Sequence, residues 1–515
     1  MARWKFSTAA PLLPGQKSNS VPKRPSISFF CKHCGHETSR WEGKCPACQE
    51  WDALVEAPSE QSKTGKRGRS GGGEGPTRLA SLTASEAKPL KEHARERLPR
   101  MPVPIAEFHR VLGGGIVPGG SVLVGGEPGI GKSTLMLQLL AMMASADEHA
   151  RNGASAATLP QYLYITGEEA PSQIAARGMR LADVDASEDR KRLADGYNSE
   201  RLKLASETSL ARILEMLQSE RPRVAVIDSV QTLRDEALNS APGSVSQVRE
   251  CAMALVDAAR QLNVAIFLIG HVTKDGAIAG PRVLEHVVDT VLNFEGEPRL
   301  DLRVLRASKN RFGSTDETGF FEMTPSGLTE VPDPSAALLD REGADDKGTG
   351  SAVGALCEGT RVLLIELQGL TAPVPGGGSP RRKASGVDAN RLAQILAVLE
   401  VKAGVPFAML DVFASAAGGF RIDEPAGDLP LALALASVAT GRPVRERLVA
   451  AGEIGLGGEI RPIARVEARV AEARRLGFQS ILLPARSRTS LPPQFEGVKL
   501  LRARTLKEAL MLGIP

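Results

Sequence analysis

The stretch GGSVLVGGEPGIGKSTLMLQLLAMM, residues 119–143, constrains the fold of this chain more than any other. A short apolar strand at 121–125 runs into a loop of the form GxxxxGK[ST], and a long apolar helix follows. In that context, successive backbone N–H groups surround a phosphate and the helix N-terminus adds partial positive charge. The sequence therefore predicts an α/β domain that binds ATP or GTP. The predicted nucleotide-binding residues are Gly126, Glu127, Pro128, Gly129, Ile130, Gly131, Lys132, Ser133 and Thr134.

Two of these residues have predicted roles in catalysis. Lys132 would reach the outer phosphates, and the Ser133 hydroxyl would ligate magnesium. A second apolar strand, RVAVIDSVQTL, ends in Asp228, where a carboxylate is expected to bond to the magnesium shell. Because ligands of open α/β sheets bind at the carboxyl ends of the strands, these side chains should meet at one edge.

Two further predicted strands end in polar residues. QYLYITGEEA carries Glu168 and Glu169, and one of these carboxylates would orient and deprotonate the attacking water. The alternative for both is a helix start, which acidic residues favour. VAIFLIGHVTKDG carries His271, which would sense the γ-phosphate or simply end the strand with a satisfied hydrogen bond.

Four of the six cysteines form two CxxC pairs ten residues apart, in CKHCGHETSRWEGKCPAC. This spacing predicts a tetrahedral zinc site with two knuckles and a hairpin between them. Two disulfides are the alternative, which a chain without an export signal disfavours. The predicted zinc ligands are Cys31, Cys34, Cys45 and Cys48. Cys251 and Cys357 lie in apolar runs and are expected in the core.

The charge balance restricts how the chain can bind nucleic acid. With 64 Lys and Arg against 60 Asp and Glu, the net charge is only +4. Any nucleic-acid-binding site must therefore depend on cations concentrated in one part of the surface. No apolar run approaches the ~20 residues that span a bilayer. Residues 1–36 hold no Asp or Glu, which is also typical of a transit peptide. Their prolines would break the amphipathic helix of such a peptide, so a disordered basic tail is the preferred interpretation. The protein is therefore expected in the cytoplasm.

Two stretches without periodicity divide the chain, whose 515 residues predict about three domains. The predicted organisation is a disordered basic tail (1–28), a four-cysteine zinc module (29–55), a flexible linker (56–100), an ATPase domain (101–337), a short linker (338–350) and a C-terminal domain (351–515).

These motifs, together with RVLGGGIVPGG and KNRFG, closely resemble the RadA/Sms family of bacterial DNA-repair ATPases from Cys31 to the C-terminus. The resemblance implies a RecA-like core with a central β-sheet, assembled as a hexameric ring with nucleotide between subunits, and it assigns the catalytic role to Glu168. It also implies a DNA-stimulated ATPase that drives branch migration alongside the RecA recombinase. Its cofactors would be ATP, Mg²⁺ and Zn²⁺, and its partners single-stranded and branched DNA.

The C-terminal third resembles the proteolytic domain of Lon, an α+β fold, in GGFRIDEPAGDLPLALALASV and GEIGLGGEIRPIARVEARVAEARRLGF. A Lon-type protease needs a Ser nucleophile activated by a Lys. The matching positions hold Asp428 and Glu467, which supply neither group. The domain is therefore predicted to be a scaffold for the ring and not a protease. PRRK at 380–383 is either a DNA-contacting basic patch or a solvated turn.

Two other functions remain open from the residues alone. A circadian-clock-like RecA ATPase, acting as a phosphorylation switch, would normally carry two ATPase cores, whereas this chain has one phosphate loop. A DNA-binding scaffold without catalysis would not need Lys132, Asp228 and Glu168 together. The preferred interpretation is therefore a DNA-stimulated ATPase motor.

DNA contacts are expected on the loops that face the channel in RecA-like rings. In this chain they are RDEALNSAPGSVSQVRE (234–250) and KDGAIAGPRVLEH (274–286), and their candidate cations are Arg249, Lys274 and Arg282. Cations directed at phosphates bind DNA without reading its bases. Ordinary surface loops are the alternative.

The pentapeptide KNRFG, residues 309–313, follows the alternating run LDLRVLRAS, which predicts a strand of the sheet. Gly313 and Phe312 suit a turn, but a turn does not explain two cations flanking Asn310. We predict that Lys309 and Arg311 act in trans on the γ-phosphate bound by a neighbouring subunit. Arg311 should be the better finger, because its planar fork matches phosphate oxygens.

Overall fold

The computed structural model of the chain divides into two compact units, Met1–Arg78 and Leu79–Pro515. The described residues are 29–31, 37–38, 40–44, 46, 51, 54–56, 99–149, 161–182, 187–270, 281–296, 302–339, 348–374, 378–417, 420–492, 494–495 and 497–515. The predicted tail and most of both predicted linkers lie outside them.

The amino-terminal unit contains a small antiparallel sheet. Its strands are β1 (Phe29–Cys31), β2 (Glu37–Thr38) and β3 (Leu54–Glu56), in the order β2-β1-β3. Cys31 ends β1, and an isolated antiparallel bridge pairs Lys44 with Trp51. The other predicted zinc ligands, Cys34, Cys45 and Cys48, lie outside the described residues.

A sheet of nine strands, counted over the described residues, forms the centre of the nucleotide-binding region. The strands are β4 (Ser121–Gly126), β5 (Tyr162–Thr166), β6 (Leu202–Ser206), β7 (Val224–Asp228), β8 (Ala265–Ile269), β9 (Thr290–Gly296), β10 (Leu302–Asn310), β11 (Thr318–Thr324) and β12 (Gly327–Glu330). Their order is β12-β11-β10-β9-β4-β8-β7-β5-β6. The six strands from β9 to β6 in this order are parallel, and β10, β11 and β12 form an antiparallel extension.

Helices cover both faces of this sheet. They are α1 (Ala106–Val111), α2 (Lys132–His149), α3 (Pro171–Ala182), α4 (Glu188–Tyr197), α5 (Leu210–Glu220), α6 (Val245–Leu262) and α7 (Pro281–Leu284). Successive side chains of a strand point to opposite faces. Accordingly, Val124 packs in the cluster with Leu139 of α2, whereas Leu123 packs in the cluster with Leu255 of α6. Among the described helices, none has the length and apolar character needed to cross a membrane.

A second sheet lies in the C-terminal region. Its strands are β13 (Ser351–Glu358), β14 (Arg361–Pro373), β15 (Arg382–Ser385), β16 (Leu410–Ala416), β17 (Leu448–Ala450), β20 (Ser480–Pro484), β21 (Gln494–Phe495) and β22 (Val498–Ala503), while β18 (Glu453–Ile454) and β19 (Ile460–Arg461) form a separate pair. The order is β15-β16-β14-β13-β17-β20-β22-β21.

The helices of this region are α8 (Pro334–Leu338), α9 (Ala389–Val398), α10 (Asp428–Thr440), α11 (Val466–Arg475) and α12 (Leu506–Gly513). Helix α10 is apolar over most of its surface, and its leucines pack into two core clusters on the sheet. Of the two cysteines expected in the core, Cys251 is buried and Cys357 is only partly so.

A polar contact joins the two sheet regions. Arg361, the first residue of β14, donates hydrogen bonds of 2.7 and 3.1 Å to the carboxylate of Glu107 on α1. Glu107 is 3% exposed and also accepts from the backbone N–H of Phe320. A bidentate pair of this kind fixes orientation as well as distance. The C-terminal sheet is therefore anchored directly to the nucleotide-binding region.

The loop predicted at 234–250 is shorter than expected, because helix α6 begins at Val245. Arg249 is consequently an exposed helix residue, and Arg282 lies in α7 rather than in a loop. The Ser244 hydroxyl accepts a hydrogen bond from the backbone N–H of Gln247, which is an N-cap. The SxxQ spacing of these two residues signals this helix start in the sequence.

Candidate nucleotide-binding site

The glycine loop connects β4 to α2, and its lysine is folded back into it. Lys132 is 3% exposed, and its ammonium donates hydrogen bonds of 2.8 Å to the carbonyl oxygens of Gly126 and Glu127. Gly129 has a φ of +77°, and a Cβ placed there would meet no described atom within 4 Å. The loop therefore bends around open space, and phosphate oxygens can replace the two carbonyls as partners of the ammonium.

The electrostatics of Lys132 identify its neighbours. Burial lowers the pKa of Lys132 to about 8, and the carboxylates of Asp228, Glu168 and Glu127 oppose this shift. Such effects act within a Debye length, roughly 10 Å. The strand register agrees, because the end of β7 is level, across β8, with the end of β4 from which the glycine loop starts. The structure therefore brings together Lys132, Asp228 and Glu168, which the sequence analysis selected from three separate stretches.

ATP binding is expected to weaken about 10-fold between pH 7 and pH 9. Below the pKa of about 8, Lys132 is already charged before ATP arrives, so the affinity is level. Above it, each binding event must first take up a proton, so the affinity falls as the pH rises. Calorimetric titration of the wild-type protein with a non-hydrolysable ATP analogue measures this without hydrolysis and keeps the Glu168 carboxylate that acts on Lys132. The Lys132→Arg variant, which stays charged throughout, should show no pH dependence whatever its affinity. An unchanged slope in that variant would assign the proton to another group.

A buried tyrosine links the two predicted magnesium ligands. Tyr164 on β5 donates a 2.5 Å hydrogen bond to Asp228, which is 7% exposed at the end of β7. Burial raises the pKa of Tyr164 well above its usual value; Asp228 adds to this shift, and a hydrogen bond with Ser133 opposes it. Both Ser133 and Asp228 thus interact with one phenol oxygen. Two oxygen ligands of the kind Mg²⁺ prefers are close together, so these residues fit the ion.

Glu168 and Glu169 have different surroundings, although both follow β5. Ser229 donates a 2.5 Å hydrogen bond to the Glu168 carboxylate, which keeps it beside Asp228. Glu169 forms an ion pair with Arg177 on α3. The Thr166 hydroxyl accepts hydrogen bonds from both backbone N–H groups and so fixes the turn. Of the two carboxylates, Glu168 is the one that the structure brings to the nucleotide loop.

Several other predicted site residues cannot be placed at this edge. His271 and Lys274 lie outside the described residues, as does the side chain of Arg282. Arg249 is exposed on the second turn of α6. The sensor role and the DNA-binding roles therefore stay predictions.

The KNRFG pentapeptide lies at the opposite edge of the sheet from the glycine loop. Asn310, the last residue of β10, pairs with Thr290 at the start of β9, and Thr290 also pairs with Val122 near the start of β4. The glycine loop leaves the carboxyl end of that same strand. The turn is also shorter than predicted, because Lys309 and Asn310 belong to β10 and only residues 311–313 leave the sheet.

Lys309 and Arg311 are held differently. The Lys309 ammonium donates hydrogen bonds of 2.6 and 2.8 Å to the carbonyl oxygens of Glu285 and Val288, and burial lowers its pKa. The Arg311 side chain is 54% exposed and contacts the carboxylate of Asp289 at 3.3 Å. Lys309 thus ties β10 to the segment before β9, whereas one side of the Arg311 guanidinium is open.

Asp289 is a residue of this region that the sequence analysis did not identify. Asp289 is 5% exposed, and its carboxylate accepts hydrogen bonds from the Ser121 hydroxyl at 2.7 Å, from Arg260 at 3.2 Å and from Arg311. Its backbone carbonyl also accepts from the N–H of Arg311 at 3.0 Å. A single Asp before an apolar strand matches no motif, so its role became visible only through these contacts.

Close packing explains the glycine of the pentapeptide. A Cβ on Gly313 would stand 3.3 Å from the Cα of Gly113 and 3.2 Å from the side-chain amide nitrogen, Nδ2, of Asn310. The Phe312 ring lies against Gly120 in a similar way, 3.2 Å from where a Cβ would be. The turn therefore rests on the glycine-rich segment before β4, and the Phe312 ring anchors it there.

The positions that match a Lon dyad are occupied by carboxylates with other partners. Asp428 begins α10, is 3% exposed, and accepts hydrogen bonds from Arg391 at 2.7 Å and from the backbone N–H of Ile454 at 2.9 Å. Glu467 is exposed on α11 and accepts from the backbone N–H of Ser490 at 3.3 Å. Asp428 is thus committed to an ion pair in the core, which is a structural role.

The PRRK segment is not a solvated turn, since Arg382 and Lys383 belong to β15. Arg381 donates hydrogen bonds of 2.8 and 2.5 Å to Asp411, and Arg382 donates one of 2.8 Å to the carbonyl oxygen of Phe407. Both arginines therefore stabilise this sheet edge. DNA contact by this segment remains a prediction.

Three regions of the chain match known family models. Residues 90–277 match an AAA domain, residues 29–56 a rubredoxin metal binding domain, and residues 416–487 the subunit ChlI of Mg-chelatase. The first of these contains the glycine loop, Glu168 and Asp228. The second contains all four cysteines of the CxxC pairs, in agreement with the predicted zinc module.

Whole-chain relatives extend these matches. DNA repair protein RadA of Halalkalibacterium halodurans is 43% identical over 461 residues, which are 90% of this chain and 93% of that protein. DNA repair protein RadA of Synechocystis is 42% identical over 494 residues, covering 95% and 94%. Among solved structures, a DnaB-like replicative helicase aligns with a TM-score of 0.37 and 16% identity, over 47% of this chain and 64% of that one.

Proposed function

Because the chain belongs to the RadA family of DNA repair proteins and contains an ATPase domain, we propose that it hydrolyses ATP in response to DNA and drives branch migration of recombination intermediates together with the RecA recombinase. The observation that carries the catalytic part is that Glu168 and Asp228 follow or end strands β5 and β7, which are in register, through β8, with the strand that leads into the loop of Lys132. A nucleotide-binding scaffold does not need a carboxylate placed to activate water.

Each of these side chains has a defined task in hydrolysis. The Lys132 ammonium would exchange its two loop carbonyls for the outer phosphates of ATP. Glu168 would orient the attacking water and accept its proton. Ser133 and Asp228 would hold Mg²⁺, which neutralises phosphate charge when bound. Tyr164, through its hydrogen bond to Asp228, would fix that carboxylate in place.

The position of the pentapeptide supports assembly as a ring. Arg311 and the glycine loop lie at opposite edges of one sheet, so Arg311 cannot serve the nucleotide bound by its own chain. A head-to-tail ring would bring these two edges together at every boundary, and a hexamer is the ring that we propose. The C-terminal region, anchored through Arg361, would act as a scaffold of that ring.

The decisive experiment compares ATP hydrolysis by purified protein alone, with single-stranded DNA and with branched DNA, and follows three-strand junctions made by RecA. DNA should raise the ATPase rate, and the protein should move the junction only when ATP is hydrolysed. Equal rates with and without DNA, together with no junction movement, would reject the motor. Junction movement that does not need RecA would support the DNA motor and reject the partnership with RecA.

Combining Lys274→Ala with Arg282→Ala should weaken binding to single-stranded DNA. The slope of the logarithm of the binding constant against the logarithm of the salt concentration should become less steep, by up to about two released counterions. The reason is that each cation directed at a phosphate displaces bound counterions. Anisotropy titrations of labelled DNA at several salt concentrations measure the slope. The matched control is Arg504→Ala with Lys507→Ala, which removes the same charge from exposed C-terminal positions. The same slope in both variants would place the DNA elsewhere.

A further inference from the structure

All three tryptophans of the chain, Trp4, Trp41 and Trp51, fall in the amino-terminal unit. The two that the structure describes are exposed, Trp41 by 58% and Trp51 by 74%. Tryptophan is highly buried on average, because it has the largest apolar surface of any side chain. Two open rings on one small module indicate a binding surface.

Cations accompany both rings. Lys44 pairs with Trp51 across an antiparallel bridge, and its ammonium lies 5.7 Å from the centroid of the Trp51 ring. Trp41 directly follows the exposed Arg40 and precedes Lys44 by three residues. The aromatic and cationic groups are therefore interleaved on one short stretch of the module.

The charge of the chain is concentrated in the same unit. Residues 1–78 hold 13 Lys and Arg against seven Asp and Glu, a net charge of +6, so the remaining residues have a net charge of −2. An apolar protein segment would gain nothing from this charge, whereas a polyanion is attracted by it. Within the module itself, residues 29–56 hold three Lys and Arg against five Asp and Glu, so the excess positive charge belongs to the stretches 1–28 and 57–78 that precede and follow it in the sequence. The two rings with Arg40 and Lys44, next to these basic stretches, favour a ligand that has both flat apolar faces and negative charge.

We propose that Trp41 and Trp51 stack on unpaired bases of single-stranded DNA while Arg40 and Lys44 contact its phosphates. Duplex DNA does not suit the surface, because its base faces are already stacked on one another. Stacking of this kind tolerates any sequence, since every base has a π face. This site is separate from the ring loops, and it rests on the proposed function only in requiring that the protein meets DNA.

Tryptophan fluorescence of the intact, zinc-loaded protein reports on this unit alone, because the rest of the chain has no tryptophan. In a Trp4→Phe background, a single-stranded oligo-dT should quench the emission. An abasic oligonucleotide of the same length keeps the phosphates and a duplex keeps the bases paired, so both should quench much less. Trp51→Ala should weaken oligo-dT binding about 10-fold, and Trp51→Phe, which retains an aromatic face, by less.

Zinc content is measured first, because one bound metal per chain shows that the module of a variant is folded. If Trp51→Ala loses zinc, Trp51→Phe with Arg40→Ala takes its place, and weaker binding is again expected. No quenching by oligo-dT, equal quenching by the abasic strand, or unchanged affinity in the folded variants would overturn the site. Quenching by purified RecA and not by DNA would assign the rings to a protein interface instead.

ATPase assays on the same samples separate this site from the motor. Stimulation of hydrolysis by DNA without tryptophan quenching rejects the stacking site alone. Quenching without any stimulation rejects the DNA-dependent motor and retains the stacking site.

Discussion

Glu168→Gln should lower the ATPase rate at least about 100-fold and leave ATP binding nearly unchanged. The Glu168 carboxylate accepts from Ser229 at 2.5 Å and acts on the ammonium of Lys132, so it lies at the phosphate end of the site. Glutamine has the same size and still accepts the Ser229 hydrogen bond, but it cannot take a proton from water. Phosphate release under saturating ATP, with DNA present, measures the rate.

Glu169→Gln is the matched control, because it makes the same chemical change one residue away. Glu169 pairs with Arg177 on the outside of the turn, so its loss removes a partly exposed ion pair worth at most about 1 kcal/mol. Most of the wild-type rate should remain. Equal losses in the two variants would mean that the turn itself, and not the Glu168 carboxylate, is what hydrolysis requires.

The sequence could not separate these two glutamates by local pattern alone. Both follow the same apolar strand, and only the family resemblance favoured Glu168. What distinguishes them is contact with Ser229 and with Arg177, one far along the chain and the other on the next helix. By contrast, the strand at 121–125 and the loop after it were predictable, because the glycine pattern requires that local structure.

The start of α6 and the role of Asp289 differ in the same way. Neighbouring residues signal the first, whereas the second depends on contacts between residues far apart in the sequence. The Gly, Ser and Pro before Arg249 predict a loop there, whereas the local capping signal at Ser244 indicates a helix that already includes Arg249. The role of Asp289 had no local signal at all. It depends on Ser121, Arg260 and Arg311, which come from three different elements and meet only in the folded sheet.

The structure also distinguishes Lys309 from Arg311, which the sequence treated as a pair. Lys309 already donates to two backbone carbonyls at 2.6 and 2.8 Å, and releasing it would leave both of them without that partner. Arg311 shares Asp289 with Arg260 and Ser121, so the carboxylate stays compensated when Arg311 turns away. We therefore narrow the prediction that both residues act in trans: we expect Arg311 to be the finger and Lys309 to hold the strand end that carries it.

Arg311→Ala should reduce ATP hydrolysis about 1,000-fold, because it removes the guanidinium that would neutralise the negative charge developing on the γ-phosphate bound by the neighbouring subunit. Arg311→Lys should restore little, since an ammonium lacks the planar fork. Arg260→Ala is the matched control: it removes the other cation from the same Asp289 carboxylate without touching the turn, and should keep most of the activity.

Mixing inactive chains tests whether Arg311 acts across a subunit boundary. In a ring assembled from equal amounts of Arg311→Ala and Lys132→Ala chains, an active boundary needs an intact lysine on one side and an intact arginine on the other. About a quarter of the boundaries meet this condition, so about a quarter of the wild-type rate should return. If Arg311 acted within its own chain, no mixed ring could regain activity, because neither chain carries both residues. Wild-type hydrolysis and junction movement by Arg311→Ala protein alone would instead reduce the pentapeptide to a turn that packs against Gly113 and Gly120.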